Sequence, residues 1–242
     1  MSDGIYVALS GAIAETTALD STANNLANSS TDGYQALRPV FHEVLVRAST
    51  TAGDLRYSAV SATPIDPTAG GRRTTGRDLD AALPQGVYLG VSTAAGERYT
   101  RACSLEMRTD GTLQTRGGLP VAGEDGSPIH LPPTGGELSL STDGAVLQNG
   151  TVRARLRLVS FTNPDQLVQQ GSALLNAPAA AGTPTPATGT LAVGAVEESN
   201  ASVVHAMTDL VTATRTFDAF KKVIDTFHDA DRRVVETVPS AS

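Results

Sequence analysis

The sequence predicts an α+β protein in which N- and C-terminal heptad helices pair in an assembly domain and a central β-rich domain holds antiparallel strands. Three observations carry this: helical periodicity at both ends, alternating apolar and polar residues between them, and Asp-Gly or Asn-Gly dipeptides at hairpin spacing. Composition sets the terms. Of 242 residues, 40% are apolar, enough for a core, but only 4% are aromatic and Trp is absent, so that core has to be aliphatic.

The first element lies between Ile5 and Leu26, where Ile5, Leu9, Ala12, Thr16, Leu19, Ala23 and Leu26 alternate steps of four and three. That spacing puts them on one stripe of a helix. A connecting segment, 35–75, follows; its stretch Ser58–Thr75, with Pro64, Pro67, Gly70 and Gly71, reads as a linker or long loop. In the central domain, 76–195, the runs Val87–Ser92, Thr100–Arg108, Glu137–Ser141 and Val152–Val159 read as strands. Asp110-Gly111, Asp143-Gly144 and Asn149-Gly150 supply the turns. Within 152–159, Arg153, Arg155 and Arg157 alternate with Ala154, Leu156 and Leu158, which predicts one charged strand face, solvated or set against another subunit. Ala177–Thr190, with Pro178, Pro184 and Pro186, reads as a second linker.

The last element, in 196–242, repeats the helical rhythm more strongly through Val203, Ala206, Leu210, Ala213, Phe217, Phe220, Ile224, Phe227 and Val234. Amphipathic helices of this kind gain most of their stability by burying the apolar stripe. Each end therefore needs a partner: residues 1–34 and 199–238, the latter within a C-terminal assembly-helix domain of 196–242, are the expected assembly elements, mobile in a free monomer.

Several function classes fall away. A formal charge of −7 argues against a broad nucleic-acid or anionic-membrane footprint. The N-terminus has no basic stretch followed by an apolar run, and no segment of about 18 apolar residues suits membrane insertion. Cys103 is the only cysteine, which excludes an intramolecular disulfide and suits a core thiol. His42, His130, His205 and His228 are scattered, without metal-ligand spacing, and no phosphate loop, dinucleotide fingerprint or nucleophile elbow occurs. No catalytic, metal or cofactor site is expected.

The specific signal is the run Asn24-Asn25-Leu26-Ala27-Asn28-Ser29-Ser30-Thr31-Asp32-Gly33-Tyr34. Asn25 and Asn28 suit backbone groups left unpaired at a helix end, and Gly33 suits a positive φ where the chain turns away. The run resembles the A-N-N-L-A-N-x-x-T-x-G-[FY] signature of bacterial flagellar rod and hook proteins. Glu198-Ser199-Asn200 with Val203, then Arg215-Thr216-Phe217-Asp218 and Lys222, is similar to that family's C-terminal helix. Tyr99-Thr100-Arg101 and Leu156-x-Leu158-Val159-x-Phe161-x-Asn163-Pro164 resemble its β domain. Ala102-Cys103-Ser104-Leu105 departs from the usual N-G-S-F run, and Pro84-Gln85-Gly86-Val87-Tyr88 from the usual G-D-G turn.

The resemblance implies a non-enzymatic subunit of the basal-body rod, exported by the flagellar type III apparatus without a cleaved signal peptide and placed in the periplasmic rod. Its implied partners are other copies and neighbouring rod subunits. Length and Phe217 within Arg215–Asp218 resemble the proximal rod protein, whereas Arg38-Pro39-Val40-Phe41-His42-Glu43 resembles the distal one. A hook-type axial protein, or a soluble adaptor with an intramolecular helix pair, are the other readings. Stripe and signature together nominate an assembly interface of Ile5, Leu9, Leu19, Asn24, Asn25, Leu26, Asn28, Gly33, Tyr34, Asn200, Val203, Leu210, Phe217, Phe220, Ile224 and Phe227.

Overall fold

A computed structural model describes residues 2–46, 55–171 and 173–237. The chain forms two compact units, one of Met1–Leu26, Leu37–Thr63 and Val203–Ser242, the other of Ala27–Ala36 and Pro64–Ser202.

The first unit holds the two long helices, α1 (Ser2–Ala27) and α2 (Val203–Thr237), and an antiparallel hairpin of Val40–Val46 with Leu55–Ala62. Both helices are rich in Ser and Thr, which usually compete with helical backbone bonds. Here those hydroxyls fold back onto the preceding turn: Thr16 donates to the Ala12 carbonyl at 2.9 Å and Ser21 to Thr17 at 2.8 Å. In α2, Thr208, Thr212, Thr214, Thr216 and Thr226 do the same four residues back. The helices pack together antiparallel. A Cβ built on Gly4 would lie 2.6 Å from the Phe227 ring, and one on Gly11 would lie 2.5 Å from that of Phe220. The two phenyl rings thus occupy space that only glycine leaves open. Gly costs about 1 kcal/mol relative to Ala inside a helix, and at these two positions the close approach of an aromatic ring offsets that cost.

The second unit is built from antiparallel strands. Its largest sheet has six, in the order Val168–Gln169, Leu175–Asn176, Gly96–Thr100, Tyr88–Thr93, Leu158–Ser160 and Thr185–Pro186. A three-stranded sheet runs Thr151–Arg155, Ala145–Gln148, Leu138–Leu140, and Leu105–Met107 pairs with Leu113–Thr115. Leu83, Leu89, Leu105, Leu113, Val121, Val146 and Leu191 lie at its centre, the aliphatic core that a chain this poor in aromatics has to make.

All three dipeptides turn hairpins. Asn149 and Gly150 both have positive φ, +50° and +74°, as a two-residue turn of matching twist requires. At Asp110-Gly111 the carboxylate accepts the Thr112 N–H at 2.9 Å, and that bond holds the Asp110 carboxyl below its usual range.

Local reading fails where long-range pairing takes over. The expected strand Thr100–Arg108 stops at Thr100 and resumes at Leu105, because Arg101 turns into the interior. The expected strand 152–159 changes partners after Arg155, and two of its three arginines find anions within the unit: Arg155 pairs with Asp143 at 2.9 Å and Arg157 with Glu97. The two tracts that read as linkers carry structure. Leu55–Ala62 and Arg72–Thr74 are strands, Ile65 and Asp66 are buried, Ala181 is buried, and Thr185–Pro186 closes one edge of the large sheet. Proline is tolerated at that edge because the missing N–H faces away from the ladder.

Candidate functional site

The signature run ends α1 and then doubles back. Within the first unit, Asn25 clasps Leu37 at two points: its Oδ1 accepts the Leu37 N–H at 2.8 Å and its Nδ2 donates to the Leu37 carbonyl at 2.9 Å. An amide side chain carries a donor and an acceptor on separate atoms, so it can satisfy a backbone C=O and N–H together. Asn24 donates to the Asp20 carbonyl at 3.0 Å, inside the helix.

The rest of the run belongs to the second unit. The Asn28 carbonyl accepts the Thr31 N–H at 3.0 Å and its Oδ1 the Thr31 hydroxyl at 3.2 Å, which closes the turn. Gly33 has φ +69°, its N–H donates to the Glu197 carbonyl at 2.8 Å, and a Cβ there would meet the Ala102 nitrogen at 2.3 Å. Two independent demands, a positive φ and a close approach of backbone, therefore select glycine. Tyr34 follows with 1% of its surface exposed, and burial raises its hydroxyl pKa.

Asn200 ties three segments into one knot. Its Oδ1 accepts the Ala36 N–H at 2.7 Å, and its Nδ2 donates to the carbonyls of Asp66 and Thr68 at 3.0 and 2.9 Å. The Ala36 carbonyl in turn accepts the Asp66 N–H at 2.8 Å. Residues 27, 36, 64 and 202 are where the chain enters or leaves this unit. One side chain thus ties residue 36 to residues 66 and 68 within this unit.

Beneath the knot lies an ion pair that sequence reasoning missed. Arg101, fully buried, grips Glu197 with two parallel bonds, Nε to Oε1 at 2.8 Å and Nη2 to Oε2. Its remaining donors reach the carbonyls of Val87 at 2.8 Å, Pro84 at 3.2 Å and Leu83 at 3.4 Å. The guanidinium carbon sits 5.6 Å from the centre of the Tyr88 ring. Burying two charges is costly unless they are paired and fully hydrogen-bonded, and here the fork geometry meets both conditions. Arg73 adds an exposed bridge to Asp32 and Glu198, each at 3.1 Å. The only sequence signal for the pair was the Tyr99-Thr100-Arg101 run, which names the arginine without its partner 96 residues away.

The stripe residues have mixed environments. Ile5, Leu19, Leu26, Leu210, Phe217, Phe220, Ile224 and Phe227 are half-buried, while Leu9 and Val203 are 44% and 41% exposed. Of the same stripes, Ala12 of α1 and Ala206 and Ala213 of α2 are buried, as are Ala8, Ala14 and Ser21 beside them. Phe220 and Phe227, expected on a seam between copies, each place part of the ring against α1 of the same chain.

Cys103 is buried, and desolvation, aided by nearby Asp80, pushes its thiol up to about 12, so no thiolate nucleophile forms near neutral pH. His130 is engaged with the Thr112 hydroxyl at 3.1 Å. Among the described residues no cluster of His, Cys, Asp and Glu could hold a metal ion, and no helix is long and apolar enough to cross a membrane. The geometry is one of backbone clasps and a buried ion pair, which hold distant chain segments together within the unit.

Comparison with known proteins agrees with this. The family described as "Flagella basal body rod protein" matches residues 5–35, and that described as "Flagellar basal body rod FlgEFG protein C-terminal" matches residues 192–237. Over nearly the whole length, the chain is 36% identical to the flagellar basal-body rod protein FlgF of Escherichia coli, covering 95% of each chain. It is 29% identical to FlgF of Mesorhizobium japonicum over the full length of both, and 29% identical to FlgG of Bacillus subtilis over 92% of this chain and 94% of that protein. The matched ends hold α1 with the signature turn and Asn200 with α2, and on this evidence the chain belongs to the family of flagellar basal-body rod proteins.

Proposed function

We propose that the chain is a structural subunit of the proximal flagellar rod. It polymerises through its terminal helices with further copies and with neighbouring rod subunits, forming part of the drive shaft that carries torque across the periplasm. It is not an enzyme, as the family to which it belongs is structural. The observation that carries the reading is the full-length similarity to FlgF at 36% identity, with both terminal regions matched. The knot at Asn200 and the pair at Arg101 and Glu197 support a mechanical role, since torque passes only through segments that are held in place. Transmission through packed contacts needs no cofactor. Export proceeds through the flagellar type III apparatus.

The test is the axial position of a tagged subunit in isolated basal bodies. A tag at the membrane-proximal end of the rod is the expected result. A tag at the hook-proximal end would make this a distal rod or hook-type axial protein, and its absence from basal bodies would remove the rod reading. The packing of Phe220 and Phe227 on α1 of the same chain favours one second reading, a soluble adaptor with an intramolecular helix pair. Absence of the tag together with a normal rod would favour it.

A further inference from the structure

A pocket of about 520 Å³ opens in the second unit between the turn after α1, the strand end at Thr100 and the turn at Arg116 and Gly117. That volume is within the range of small-ligand sites. Ala102, Leu119 and Leu174 give it apolar walls. Its hydroxyls are the informative part: Thr100, Ser104 and Thr115 are 4%, 6% and 6% exposed. A hydroxyl holds one proton and two lone pairs. Thr100 Oγ1 accepts the Ala102 N–H at 3.0 Å and Thr115 Oγ1 the Leu119 N–H at 3.3 Å, yet neither proton has an acceptor among the described residues. Ser104 is the reverse, since its proton goes to Asp80 at 2.6 Å and its lone pairs stay unspent. Gln170 accepts Arg98 Nε on its Oε1 and keeps both amide protons. Buried polar groups normally find partners, so this pocket offers donors and acceptors to a guest that carries both.

Charge narrows the guest further. Arg116 is exposed at the rim and makes no ion pair among the described residues. The carboxylates around the pocket are committed elsewhere: Asp32 to Arg73 at 3.1 Å, and Asp80 to Ser104, with Arg77 at 3.9 Å. Glu106, on the strand beside Arg116, accepts the Gln114 amide at 2.8 Å. Arg98 is a second cation, and the Glu97 carboxylate next to it in sequence pairs with Arg157. The uncompensated charge at the mouth is therefore positive. A fatty acid would fill the walls and meet Arg116 but leave Ser104 without a donor. A peptide brings amide N–H and C=O groups to the same hydroxyls.

We infer that this pocket binds a short extended segment of a partner protein in which an apolar side chain stands next to a carboxylate. The apolar side chain lies against Leu119 and Leu174, the carboxylate pairs with Arg116, and the peptide groups meet Thr100, Ser104 and Thr115. The inference goes beyond the rod reading and uses neither terminal helix, so its failure leaves that reading intact.

The test uses the purified full-length chain, labelled with nitrogen-15, and acetyl-Ala-Leu-Glu-amide as the probe. Saturable shifts of the backbone amide signals of Thr100, Ala102, Thr115 and Gly117 are the expected result. Arg116→Ala, or Gln in place of Glu in the probe, should each weaken binding about three- to tenfold, as loss of a partly exposed ion pair does. The two changes together should weaken it little more than either alone. As a second arm, Arg116→Glu should prefer acetyl-Ala-Leu-Lys-amide; because Arg116 bonds nothing through its side chain, both variants should keep the parent spectrum away from the pocket. Absence of a saturable shift overturns the inference, as do equal affinities for the Glu and Gln probes or additive losses in the cycle. Hexanoate binding as tightly as the peptide would also overturn it and make the pocket a site for acyl chains.

Discussion

Arg101 and Glu197 show how much one residue pair can carry. Each is almost fully buried, and together they join a strand end at Thr100 to the strand Ala195–Glu197. Removing one partner of such a pair leaves an uncompensated charge in the interior, at a cost of about 3–5 kcal/mol. Glu197→Ala is therefore expected to lower the stability of the second unit by that amount in urea titration, whereas Arg101→Met with Glu197→Leu should cost much less than the sum of the single changes. Additive losses in that double-mutant cycle would mean that the two side chains do not act as a pair. Asn200→Ala removes four hydrogen bonds at the knot and should cost about 1–3 kcal/mol. Cys103 gives a pH signature. Its thiol ordinarily titrates near 9.0 and is pushed up to about 12 in the folded chain. The folded form therefore keeps a proton that the unfolded form loses, so stability is unaffected below about pH 9 and falls as the pH rises toward 12. Native protein should also resist thiol alkylation at pH 8 until denaturant is added.

Among the elements, the helix pair depends on two glycines that helix propensity disfavours. Gly11→Ala would gain about 1 kcal/mol in an isolated helix. In this protein the new methyl group would meet the Phe220 ring at 2.5 Å, so the substitution is expected to destabilise the pair despite the better propensity. Circular dichroism melts of Gly11→Ala and Gly11→Leu would check this, with the larger side chain giving the larger loss. Phe220→Ala should also cost about 1–2 kcal/mol, roughly half the value of a fully buried side chain, because the ring is only half-buried. A stability gain in Gly11→Ala would show that the ring can move away freely.

For the whole molecule, the two units have separate cores: helices and a hairpin in one, the aliphatic strand core in the other. Substitutions in one are expected to leave the other's unfolding in place. Calorimetry should show Gly11→Leu shifting a transition that Glu197→Ala leaves unmoved, and the reverse. A single transition moved equally by both would indicate one cooperative unit.

Much of this was legible from local pattern. The positions of α1 and α2, the three hairpin turns and the aliphatic core follow from periodicity and dipeptide chemistry, which act over a few residues and so are written in a few residues. The turn from Asn28 to Thr31 is closed by its own hydrogen bonds, whereas Gly33 also answers to Glu197 and Ala102, far away in the chain. What only the tertiary structure decided involves partners far apart in the chain. The bond from Arg101 to Glu197, the knot that Asn200 makes with residues 36, 66 and 68, and the strands inside two Pro- and Gly-rich tracts all depend on which segments meet, and composition is blind to that. The stripe on α2 is the clearest case: its spacing announced an apolar face, but only the glycines at positions 4 and 11, opposite Phe227 and Phe220, determined which surface that face would find first.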